Sequence, residues 1–155
     1  MIGLYVVGVV VVLALIIGGY RSRTDGRVRE PRRGADAHPQ ERRLDTESLG
    51  ADLGSEATFV QFSTRVCAPC RATHRLLSEF TSAANSGTDS SRLAHIDVDA
   101  ETRLDLVREF GVTRTPTVLV LDPHGAVRQR IVGPPRRADI AEALQRLGGV
   151  SSVRA

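Results

Sequence analysis

Residues 2–20 contain no charged side chain and consist of Val, Leu, Ile, Gly, Ala and Tyr. A run of about 20 apolar residues is long enough to cross the hydrocarbon core of a bilayer as a helix. Such a run has no place on the wet face of a globular domain, so it sets residues 1–20 apart as an anchor. A cleaved signal peptide calls for a basic start, a shorter apolar core and a small-x-small cleavage site. Here no basic side chain precedes the run, and Arg21 follows it at once. The reading is therefore an uncleaved, single-pass transmembrane helix.

The charge beyond the run supports this division. The chain carries a formal charge of +3, and all of its basic residues are arginine, a bias expected of a GC-rich genome. Six of them (Arg21, Arg23, Arg27, Arg29, Arg32 and Arg33) follow the apolar run closely. Positive charge flanking a span marks its cytoplasmic side, which places the rest of the chain in the cytoplasm at the inner membrane surface. No aromatic residues interleave with these arginines, which speaks against a nucleic-acid partner.

Residues 21–43 are rich in Arg, Gly, Asp, Glu and Pro and nearly free of apolar side chains. Such a segment cannot bury a core. As a flexible linker it would reach about 25–30 Å. A globular domain is expected over 44–150, with 151–155 as a tail. Aromatic residues are few (four Phe, two Tyr, no Trp), so its core must come from Val, Leu, Ile and Ala.

Within that domain the patterning predicts a strand at 57–63 and a helix at 68–81, with Leu76, Leu77 and Phe80 on one side. A loop over 83–91 follows, then a strand at 92–99 and a helix at 101–110 stopped by Gly111. A strand at 117–121, the turn Asp122-Pro123-His124-Gly125, a returning strand at 126–132 and a last helix at 139–147 complete it. The order is β-α-β-α-β-β-α.

Cys67 and Cys70 are the two cysteines of the chain. Two thiols cannot staple a disulfide-rich secreted domain, and their spacing is that of redox or metal sites. Cys67 follows the first strand and opens the first helix of the domain. Unpaired backbone N–H groups and the helix dipole there favour a thiolate, the nucleophilic form of cysteine. Pro69 suits the first turn, where its missing N–H costs nothing. Cys70, one turn on, can attack a mixed disulfide formed by Cys67 and release the partner. Two other readings compete. His74 could extend the pair into half of a zinc site, although His38, His95 and His124 lack ligand spacing. The cysteines could also be inert.

The segment V-Q-F-S-T-R-V-C-A-P-C-R resembles the active-site segment of thioredoxins. H-I-D-V-D-A-E, F-G-V-T-R-T-P-T-V-L-V-L and G-A-V-R-Q-R-I-V-G resemble that family's next strand, proline loop and final hairpin. The resemblance covers about residues 55–147. It implies an α/β fold, a thioredoxin-like mixed central sheet flanked by helices and preceded here by one transmembrane helix. It also implies that Cys67 is the exposed nucleophile, that Cys70 is the buried resolving thiol and that the two form a redox-active disulfide. Thr115-Pro116 would be a cis peptide beside the sulfurs, exposing the Thr115 backbone to a substrate strand, and Gly133 would border the same groove. The competing reading of Pro116 is an ordinary proline at the start of a strand. No cofactor and no metal are implied.

Several positions depart from the family. Val66 and Ser63 stand where aromatic residues are usual. Gln61 replaces a buried carboxylate and His95 the lysine that accompanies it. His95 could then accept the Cys70 proton, directly or through one water; the competing reading is that it only packs beside Gln61 and shares a hydrogen bond with it. The altered surface points to a dedicated partner. The expected function is a membrane-tethered thiol–disulfide oxidoreductase, a reductase in the reducing cytosol, acting on protein disulfides and recharged by an electron-donating reductase or a thioredoxin. The alternatives are an outward-facing thioredoxin-like reductase of the cytochrome-maturation type and a redox-inactive binding module with the same fold.

Overall fold

The computed structural model describes residues 2–24, 28–29, 42–87 and 91–148, with side chains described at 7–18, 42–87 and 91–148. The expected tail, residues 88–90 of the expected loop and most of the expected linker lie outside the described residues.

Helix α1 (Ile2–Thr24) covers the apolar run. Its described side chains are exposed, with Val7, Val10, Leu15 and Ile16 at 60%, 59%, 70% and 61%. Among the described residues no helix is long and apolar enough to cross a membrane.

The sheet holds β1 (Val28–Arg29), β2 (Ala57–Ser63), β3 (Leu93–Asp99), β4 (Thr117–Leu121) and β5 (Val127–Val132), in the order β1-β5-β4-β2-β3. β2 and β3 are parallel and the other neighbours antiparallel. A parallel pair requires a crossover, and α3 (Ala68–Asn85) provides it. The remaining helices are α2 (Thr46–Leu49), α4 (Leu104–Glu109) and α5 (Arg137–Arg146). From β2 onward the order is the β-α-β-α-β-β-α read from the sequence.

β2 lies between β3 and β4 and is covered on both faces, so six of its seven residues are buried and the strand reads as a continuous apolar run. On one face Phe59, Val118, Val120 and Ile131 pack with Leu77 and Phe80 of α3 and with Ile140 and Leu144 of α5. The Phe59 and Phe80 rings meet edge to face, 6.4 Å between centroids. On the other face Val60, Phe62, Leu119 and Leu121 pack with Leu106 and Phe110 and with Leu44, which is 2% exposed.

The structure departs from the sequence reading in several elements. α3 continues four residues past 81, into the stretch read as a loop. The small and polar composition of that stretch hides the helix, which ends with the Asn85 amide bonded to both the N–H and the carbonyl of Leu93 at 3.0 and 2.8 Å. α4 begins later than expected because Asp99 folds residues 101–103 into a turn, its carboxylate accepting the Glu101 N–H at 2.8 Å. The last turn of α4 is closed by the guanidiniums of Arg42 and Arg130, which donate to the carbonyls of Glu109 and Phe110. α2 is not anticipated. It is one turn, held by reciprocal bonds between Asp45 and Ser48 and ended by Gly50 at φ 66°. Within the stretch read as linker, Val28 and Arg29 pair with Ile131 and Arg130 of β5. Arg43 bridges to Ala126, and the Leu44 N–H donates to the Gly125 carbonyl at 2.9 Å.

Candidate active site

The end of β2 leads through a short turn into α3, and both cysteines sit at that junction. Cys67 is the N-cap of α3 and has extended backbone, so its side chain folds over the helix start. Its sulfur accepts the Cys70 N–H at 3.1 Å, one of the N–H groups that has no partner within the helix. Pro69 occupies the first turn. The two sulfurs are joined in a disulfide of 2.02 Å, with Cα atoms 5.2 Å apart. Cys67 is half-buried, whereas Cys70 is 2% exposed. The two positions are thus unequal in access, and the sulfur that can be reached is the one at the positive end of the helix.

The sheet brings a second loop to the same end. β2 and β4 pair as far as Phe62 with Thr117, and Thr117 pairs with Val132 of β5. The next row holds Pro116 and Gly133, joined by the Gly133 N–H donating to the Pro116 carbonyl at 2.8 Å. Gly133 has φ 90°, a backbone region that favours glycine. The Thr115–Pro116 bond is cis, as expected. Thr115 is half-buried and Pro116 buried. Register therefore places Thr115, Pro116 and Gly133 at the end of the sheet where β2 leads to Cys67.

Gln61 is fully buried, and its Nε2 donates to the Cys70 carbonyl at 3.0 Å. Among the described residues its Oε1 has no hydrogen-bond partner. Gln61 thus meets the backbone of the resolving position with a group that does not titrate. His95 lies elsewhere. Its Nδ1 is 3.2 Å from the Ser78 hydroxyl, and its ring centroid is 4.9 Å from that of His74. Burial, helped by charge on His74 and opposed by Asp97, lowers the His95 pKa to about 4. Of the two residues expected to handle protons, one touches Cys70 and the other packs further along α3.

Between α3 and the end of β3 lies a cleft of about 510 Å³. Cys70, His74, Asp97 and Asp99 line it, together with Ser63, Thr64 and the arginines Arg65, Arg71 and Arg75. The His74 Nδ1 is 3.4 Å from the Asp97 carboxylate. Sequence reasoning considered His74 only as a zinc ligand and passed over Asp97. A signal was present: His74 follows Cys70 by four residues, the spacing of one helix face. Its pairing with Asp97 depends on where α3 lies against β3, which spacing along the chain does not carry. Beside the disulfide, Val66 is 89% exposed, an apolar side chain at the rim of the site.

Residues 51–148 match the family model for a thioredoxin-like domain. A thioredoxin from Mycolicibacterium smegmatis is 34% identical over 99 residues, a stretch covering 64% of this chain and 82% of that protein. Among solved structures, oxidized mitochondrial thioredoxin 3 from Saccharomyces cerevisiae has a TM-score of 0.52 at 18% identity, covering 65% of this chain and 88% of that one. Thioredoxin-2 of the malaria parasite, described as a component of its protein secretion machinery, also reaches 0.52, at 16% identity, covering 64% of this chain and 90% of that one. Likeness at those identities speaks for the fold alone. With the domain match across most of the chain and the mycobacterial relative, it follows that this protein belongs to the thioredoxin-like family.

Proposed function

We propose that the chain is a membrane-tethered thiol–disulfide oxidoreductase that reduces protein disulfides through Cys67 and Cys70. One observation carries this reading: the disulfide caps α3, with a half-buried sulfur that accepts a helix N–H and a buried sulfur behind it. When the pair is reduced, Cys67 as thiolate attacks a partner disulfide and is linked to one partner sulfur, while the other leaves as a thiolate. Cys70 then loses its proton and attacks the Cys67 sulfur. The Cys67–Cys70 disulfide re-forms and the second partner sulfur departs. An electron donor must reduce the Cys67–Cys70 disulfide before the next cycle: a thioredoxin dithiol, itself oxidised in the exchange, or an electron-donating disulfide reductase. Thr115, Pro116 and Gly133, at the same end of the sheet, would offer the surface against which a partner segment lies. The exposed Val66 and the half-buried Ser63, in place of aromatic residues, support a dedicated partner.

Tethering is supported by the uncharged run at 2–20 and the arginines that follow it, with 21–43 as the connecting segment. The same arginines favour a cytoplasmic domain and so a reductase.

The test uses the purified, reduced chain and a protein disulfide such as that of insulin. Cys67 should alkylate first, with a pKa below the free-thiol value of about 8.5. Cys67→Ser should abolish reduction, and Cys70→Ser should accumulate mixed disulfides. Equal alkylation of both thiols, or reduction that survives Cys67→Ser, would overturn the roles. A pair that cannot be cycled between thiol and disulfide would instead favour a binding module.

A further inference from the structure

The resolving step requires the Cys70 thiol to lose a proton, and Cys70 is nearly inaccessible to bulk water. Gln61, the side chain against its backbone, is an amide and cannot take that proton. The cleft that Cys70 lines contains three groups that can: His74, Asp97 and Asp99. Asp97 lies 3.4 Å from the Nδ1 of His74. A carboxylate at one ring nitrogen fixes the tautomer and leaves the other nitrogen free to accept a proton. His74 stands one helical turn after Cys70 on α3, the spacing at which side chains on one face meet. Its ring rests on His95, which is bonded to Ser78.

We propose that His74, oriented by Asp97, accepts the Cys70 proton in the resolving step, directly or through one water in the cleft. This rests on the thiol–disulfide exchange proposed above and assigns the base that Gln61 cannot be. The step balances. The Cys70 S–H proton passes to the imidazole, the Cys70 thiolate forms the bond to the Cys67 sulfur, and the bond from Cys67 to the partner breaks with the electron pair leaving on the partner sulfur. The imidazolium then returns its proton to water or to the departing thiolate. Asp97 and Asp99 of β3 stabilise that imidazolium, and Arg71 and Arg75 of α3 and Arg65 of the preceding turn oppose it. His95, from β3, is neutral at physiological pH, so it supports the His74 ring without adding charge to it. With a pKa of about 4, His95 is itself a weak base for a thiol.

The experiment follows the reduced full chain reacting with one equivalent of the aromatic disulfide 5,5′-dithiobis(2-nitrobenzoate). Attack by Cys67 releases one coloured thiolate, and resolution by Cys70 releases the second, so the two steps are read separately. His74→Ala should leave the first phase within about twofold and slow the second by about 10²-fold, in the range of general acid–base catalysis. Added imidazole should restore much of the second phase, which it would not do for a merely structural loss. His74→Gln, which retains size and hydrogen bonding, should be equally slow. Asp97→Asn, which removes the carboxylate at the His74 Nδ1, should also slow the second phase and spare the first. An unchanged second phase in folded His74→Ala and His74→Gln would overturn the assignment, as would loss of the second phase in His95→Ala but not in His74→Ala. Absence of the first phase in the unsubstituted chain would instead refute the exchange activity itself.

Discussion

His95 shows how far a single residue can be read from a sequence. Its place on the strand beside β2 is legible from alternation, and the structure puts it in register with Phe59, facing α3. What sequence could not supply is its neighbour. The ring meets His74 and Ser78, and burial keeps it neutral, with its pKa lowered to about 4. The consequence for stability has a definite sign. Unfolded, a histidine titrates near pH 6.5. Between about pH 6.5 and pH 4 the unfolded chain therefore binds a proton that the folded chain refuses. This contribution is fully present above the unfolded value and is lost as the pH falls through the window. His95→Gln should flatten that loss. Urea midpoints measured from about pH 7 down to pH 4 should fall less steeply in the variant, and parallel curves would contradict the assignment. The place of Cys67 at a helix start was legible from the strand and helix patterns around it, whereas the cis bond before Pro116 and the place of Gly133 were implied only by the resemblance to thioredoxins. The His74–Asp97 pair was not legible, because it joins two elements through their packing.

Elements with a clear period were read within a few residues, and those without one were missed. β2 and β4 have their expected bounds, since each is an apolar run between turn residues. α2 is too short for any period, and its cap uses Ser48 where a capping box more often has Glu or Gln. Yet this region closes the face of the sheet opposite α3. Leu44 packs there with Val60, Phe62 and Leu121, and its backbone is tied to the hairpin turn through Gly125. The stable unit thus begins before residue 51, where the family match starts. Leu44→Ala should cost about 2–5 kcal/mol, the range for emptying a leucine site in a packed core. A urea titration with an unchanged slope and a lower midpoint would register it. A loss below about 0.5 kcal/mol, the size of a surface substitution, would mean that the region is dispensable.

At the scale of the whole molecule, the patterning sufficed for the order of elements, because each strand and helix carries its own apolar signal, whereas their arrangement around one sheet was implied by the resemblance to thioredoxins. The apolar run at 2–20 and the arginines after it are properties of the sequence, and the orientation proposed from them has a direct test. Protease added to intact cells should spare the domain, and lysis should expose it. Digestion in intact cells, with a cytoplasmic control protein spared, would turn the domain outward and favour the cytochrome-maturation alternative. The pairing of Val28 and Arg29 with β5 was not legible, because the composition around it gives no sign of a strand. Only residues 25–27 separate that pair from Thr24, the end of α1. Four steps of extended chain cover at most about 14 Å. For the tether proposed above, those two rungs would hold the disulfide to partners close to the anchor, and parting them would widen the radius within which the domain can work.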